Sequence, residues 1–100
     1  METKLFKESV DDDLQVPDWS LLHFLNEVQR EVNKARQAFP TNEHLIAAAT
    51  EEFGELIKAV LDHTQKDGSE GAIHKEGVQA AAMVARLVLE GDPSVKYQGM

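Results

Sequence analysis

Apolar residues recur at alternating steps of three and four in three separate stretches of this chain, and no clean two-residue alternation persists long enough to make a strand. Leu21, Leu25, Val28, Val32, Ala35 and Phe39 form the first run. Their spacing predicts a helix that starts after Pro17 with Asp18 as N-cap and is stopped by Pro40. A second start follows at "PTNEH", where Thr41 or Asn42 is placed to cap, and the helical pattern continues to about Thr64. After the polar turn "QKDGSEG", a third helix is expected from about Ser69 to Glu90, closed by Gly91 and Pro93. The predicted class is all-α.

One hundred residues make one small domain. Residues 1–18, with the acidic run Asp11, Asp12 and Asp13, read as a solvated arm. Residues 19–92 hold the helical domain, and residues 93–100 form a C-terminal tail. Cysteine is absent, so neither a disulfide nor a thiolate metal site can supplement a core of this size. The third helix is apolar almost all round, with Val78, Ala81, Ala82, Ala85, Val88 and Leu89 on faces that two companion helices cannot all cover. A bundle completed as a homodimer or homotetramer is therefore expected. The formal charge of −8 argues against a nucleic acid polymer or an anionic membrane as partner and favours cations. With no apolar run near the roughly 20 residues of a membrane span and no apolar signal core, the expected location is the cytoplasm.

The stretch "AATEEFGELIKAVL" carries the chemistry. At 100° per residue, Glu52 shares its direction with Leu45, Ala48, Ala49, Leu56 and Ala59, and Glu55 lies about 60° away at the edge of this face. On the third helix, Glu76 is surrounded in the same way by Ala72, Ile73, Ala80, Met83 and Leu87, with Gln79 at the edge. A single helical glutamate is ordinarily a solvated rim residue. Two glutamates, each centred on an apolar arc, are expected either to protonate or to hold a cation, because burial and mutual repulsion both penalise the free charges. Ligands that are all oxygen suit Mg²⁺, with Mn²⁺ as the alternative.

Glu52-x-x-Glu55, followed after twenty residues by Glu76-x-x-Gln79, resembles the ExxE…ExxD signature of the MazG-like all-α nucleoside triphosphate pyrophosphohydrolases. The segments "EEFGELIKAVLD" and "KEGVQAAAMVARLVLEGD" resemble that family's two metal-binding helices, and the similarity covers about residues 19–92. It implies a MazG-like helical bundle and a Mg²⁺-dependent enzyme that converts a nucleoside triphosphate to the monophosphate and pyrophosphate. It also implies Glu52, Glu55 and Glu76 as metal ligands. Gln79 stands where the family has aspartate; its oxygen still coordinates but brings no charge. The alternative is a nucleotide-binding or scaffold protein of the same fold with weakened catalysis.

Glu51 is the candidate general base for the attacking water, against its ordinary reading as an exposed helix residue. Phosphate requires cations. Arg86 lies two turns beyond Gln79 on the same edge and Lys58 follows the first acid pair, although each has an ordinary reading as a surface charge. Gln29 and Arg36 fall within the first apolar stripe and are candidate substrate contacts, or polar residues at the edge of the core. His23, His44, His63 and His74 match no metal-binding spacing and read as solvated, and Trp19 reads as a core anchor before a base-stacking residue.

Overall fold

The computed structural model describes residues 19–100, so the N-terminal arm and the Asp18 cap lie outside the described residues. Three helices account for most of the rest: α1 spans Trp19–Ala38, α2 spans Leu45–Lys66 and α3 spans Glu70–Glu90. A single 3₁₀ turn, Pro93–Val95, follows. Among the described residues there is no strand, only an isolated bridge between Asp92 and Tyr97. No helix of the described chain is long and apolar enough to cross a membrane.

The central element is α3, which packs against both α1 and α2. Val78 and Ala82 on one face of α3 meet Val28 and Val32 of α1, with Phe24, Ala81 and Ala85 packed around them. The perpendicular ring contact of Phe24 with His74, and the 2.7 Å hydrogen bond between His74 Nε2 and Glu27 Oε1, tie the same helices together nearer the start of α3. His74 is therefore not simply solvated. Nor is His63, whose Nδ1 lies 2.6 Å from the Gly68 carbonyl oxygen in the α2–α3 turn.

Helix ends follow local chemistry in one case and distant chemistry in the other. At α3, Ser69 is an N-cap whose hydroxyl accepts from Ala72 N–H, and Gly91 closes the helix at φ 79°, where a Cβ would collide with the Tyr97 carbonyl. At α2, neither Thr41 nor Asn42 caps. The last residue before the helix is His44 in the left-handed region, and the first N–H groups are taken by Asp92, whose carboxylate accepts from His44 N at 2.9 Å and Ile46 N at 2.8 Å. Asn42 instead donates its amide to the Glu90 carbonyl at 2.8 Å. A buried carboxylate at the end of α3 thus satisfies the free donors at the start of α2.

Residues 93–100 follow α3. Tyr97 donates its hydroxyl hydrogen to the Val88 carbonyl and Met100 N–H bonds to the Leu89 carbonyl, which folds the segment back on α3.

Candidate functional site

The ends of α1, α2 and α3 that meet at the Asp92 cap frame one groove of 630 Å³, with α3 as its floor and α1 and α2 as its walls. Glu51 and Glu52 enter it from α2, Gln79 from α3 and Glu31 from α1. These four oxygen-bearing side chains form a polar end. Seven residues back along α2, about 10 Å at 1.5 Å per residue, Leu45 joins Ala35 and Ala38 of α1 and Met83 of α3 in an apolar part of the lining, bordered by Thr41, Glu43 and His44.

Glu52 and Glu76 are half-buried, as their place among small apolar residues requires, and Gln79 is half-buried beside them. Burial is the first cause that holds the Glu52 carboxyl above the ordinary glutamate range. The charges of Glu76, Glu51, Glu55 and Glu31 add to it in that order. Glu55 and Glu76 line a neighbouring hollow of 200 Å³ between α2 and the start of α3, together with Lys58 and Asp62. The expected acids are therefore brought to adjoining faces of two packed helices. Among the described residues, no three acidic or histidine side chains gather on one point to hold an ion.

The expected substrate contacts are distributed differently. Arg86 reaches the groove wall but is only 1% exposed, and its guanidinium is engaged on every side. It donates to Glu90 Oε1 at 2.9 Å, to the Thr41 carbonyl at 3.2 Å and to the Ala35 carbonyl at 3.5 Å. Arg36 is likewise paired with Glu90, at 2.7 Å. Lys58 pairs with Asp62 one turn on and sits in the smaller hollow. Gln29, expected to face the cavity, lines a separate hollow with Trp19 and Asn26. At one residue from Val28 it is turned about 100° away from the α3-facing side of α1. Trp19 is 73% exposed there and is not part of the core among the described residues.

Among the charged groove residues, Glu31, Lys34 and Glu43 escaped the sequence reading. For the first two the signal was present, since Glu31, Lys34, Ala35 and Ala38 follow one another at helical spacing along one side of α1. Lys34 is an exposed cation in the groove.

Compared with models of known protein families, with curated proteins and with solved structures, the chain finds no match in any of the three.

Proposed function

We propose that this protein is a nucleoside triphosphate pyrophosphohydrolase, in which water adds to the α-phosphorus and the α–β anhydride bond breaks to leave a monophosphate and pyrophosphate. The observation that carries this reading is a groove of nucleotide dimensions with Glu31, Glu51, Glu52 and Gln79 at one end and Ala35, Ala38, Leu45 and Met83, with Glu43 beside them, at the other. The resemblance of the Glu52, Glu55, Glu76 and Gln79 pattern to the MazG-like signature is independent support.

A hard divalent cation suits the donor set, because every candidate ligand is oxygen and Glu52 already carries the repulsion that a cation would relieve. Glu52, Glu55, Glu76 and the Gln79 amide oxygen would hold Mg²⁺ or Mn²⁺. When bound, the ion supplies charge that offsets the triphosphate and favours attack on phosphorus. Glu51, exposed in the groove, accepts the proton of the attacking water on a carboxylate oxygen. Lys34 offsets phosphate charge from the α1 side. Arg86 and Arg36 act on substrate only through the wall they fasten.

The rival, a nucleotide-binding or scaffold protein with weakened catalysis, is favoured by one feature, the neutral Gln79 at the polar end. Incubating the protein with canonical and modified nucleoside triphosphates and Mg²⁺, and measuring pyrophosphate, separates the two. Turnover that chelator abolishes supports the enzyme. Mg²⁺-dependent binding without pyrophosphate release supports the rival.

A further inference from the structure

We infer that the uncovered face at the start of α1 is a docking surface for the N-terminal arm of the same chain, with Leu14 and Val16 seated on Trp19, Leu22 and Leu25 and the acids Asp12 and Asp13 set beside Arg30. The inference stands apart from the nucleotide reading above, since this face shares no residue with the groove. Among the described residues α1 packs on α3 and on no other helix. Its outer side keeps a hollow of 500 Å³ lined by Trp19, Leu22, His23, Leu25, Asn26 and Gln29. At 100° per residue Trp19 lies opposite Val28, which is buried against α3, so the core-facing side of α1 cannot also cover the indole. Three large exposed apolar side chains within two turns, around a hollow, form a patch that calls for apolar cover.

The chain brings that cover to the place itself. Residues 1–18 end where Trp19 begins, inside the patch, and they carry Leu5, Phe6, Val10, Leu14 and Val16. A segment tethered at the edge of its own docking surface is present at high effective concentration, which a separate molecule is not. Its length is sufficient: eighteen extended residues reach about 60 Å, against about 30 Å for the twenty residues of α1. The entry to the helix favours a return along its flank. With Asp18 as N-cap, Pro17 and Leu22 hold the two positions whose apolar contact fixes the angle at which a chain enters a helix.

The register follows from the two rises. An extended residue covers about 3.3 Å and a helical one about 1.5 Å, so an arm running back along α1 passes about two helical residues at each step. Counted from Asp18, Val16 comes abreast of Leu22, Leu14 abreast of Leu25 and Asn26, and Asp13 and Asp12 abreast of Gln29 and Arg30. In an extended segment Asp12, Leu14 and Val16 share one side. Arg30 is exposed and follows Asn26 by four residues, one turn further on the same face of α1. Apolar side chains thus meet apolar side chains and a carboxylate meets the guanidinium, whereas a slip of one residue would set Asp13 and Gln15 against the leucines. The acidic run, which by itself suggests a solvated arm, here supplies the charged end of a docked one.

Trp19 is the single tryptophan of the chain, so its fluorescence reports on the patch directly. In the full-length wild type, emission at shorter wavelength and weaker acrylamide quenching than a solvated indole gives are expected. Leu14→Asp made together with Val16→Asp should shift emission to the red and raise quenching, with oligomeric mass by light scattering and helical circular dichroism unchanged, because neither position lies in the three helices. Asp12→Arg with Asp13→Arg should lose part of the protection, and adding Arg30→Glu should restore it. A wild type whose Trp19 is quenched as readily as a solvated indole would overturn the assignment. So would protection that the arm substitutions leave intact, or that disappears on dilution together with a fall in mass, because a second copy would then be what covers the ring. Failure of Arg30→Glu to restore what the reversed acids lost would remove the pairing that sets the register.

Discussion

At Glu52 two penalties act in the same direction, partial burial first and then the surrounding acids, and both raise its carboxyl pKa. A group whose pKa is raised by folding contributes stability that is present below the unfolded value, near about 4.3, and is lost as pH rises through the folded value. Glu52→Gln should therefore melt at a temperature equal to or above that of the wild type at neutral pH in chelator, and the difference should vanish toward pH 4. The same variant should lose the Mg²⁺-dependent rise in melting temperature that binding to the folded state produces. Thermal scans with chelator and with Mg²⁺ read both outcomes, and a metal-free variant less stable than the wild type would instead make Glu52 a structural partner. Gln79→Asp works in the opposite sense. A carboxylate one turn from Glu76 adds repulsion without metal and ligand charge with it, so the variant should melt lower in chelator, bind Mg²⁺ more tightly and release pyrophosphate at least as fast. Unchanged metal dependence would place residue 79 outside the ion's reach.

The helix ends are joined by a network that makes the groove wall and the fold one unit. The Glu90 carboxyl is held below the ordinary glutamate value, first by its hydrogen bond from Arg86 and then, against the cost of burial, by Arg36. Burial pushes the Asp92 carboxyl up, but hydrogen bonds from Ile46 N–H, from the hydroxyl and N–H of Ser94 and from His44 N–H outweigh it and leave the group strongly acidic. Both shifts are downward, so their stabilisation is present above the unfolded carboxylate range of about 3.9–4.3 and is lost as pH falls through the folded values. Melting temperature should drop on acidification below about pH 4, and Asp92→Asn should lower it by roughly 4–8 °C at pH 7 while flattening the acid dependence. Arg86→Met leaves Glu90 to Arg36 alone and takes from the Thr41 carbonyl its donor, and should cost about 2 kcal/mol in denaturant unfolding. The same network marks the limit of what the sequence discloses. Ser69 and Gly91 announce the ends of α3 because their partners lie within a few residues. The start of α2 is hidden because its cap lies 46 to 48 residues away. Helical spacing placed Glu52 and Glu76 on packed faces, as found, since direction around a helix is a local property. It could not foresee that Arg86, on the same edge as Gln79, would be captured by carbonyls of α1 and its connection, which only tertiary packing brings near.

Among the described residues, most of the large apolar side chains lie on the surface: sixteen are exposed, while the buried apolar set comprises seven residues, three of them alanines. The exposed residues are grouped. Phe53, Ile57, Val60 and Leu61 form one stripe of α2 turned away from the acids, Val84 and Val88 form a second on α3, and Trp19, Leu22 and Leu25 a third near the start of α1. Scattered surface hydrophobes need no explanation, but stripes at helical spacing on three helices do. Among the described residues α3 is covered by two neighbours, and a second copy of this chain would supply helices whose apolar stripes match its own in a four-helix core. The expected state at micromolar concentration is a homodimer or homotetramer by light scattering. Phe53→Asp and Ile57→Asp, made together, put two charges in the middle of the α2 stripe without touching Glu52 or the groove lining, where burial of unpaired charge disfavours association. The double variant should scatter as a smaller species and melt lower, with a melting temperature that no longer rises with protein concentration, because assembly stabilises the folded state by mass action. A wild type that is monomeric across that range would mean that these stripes remain exposed in solution, and a double variant of unchanged mass would move the interface to the stripes of α1 or α3.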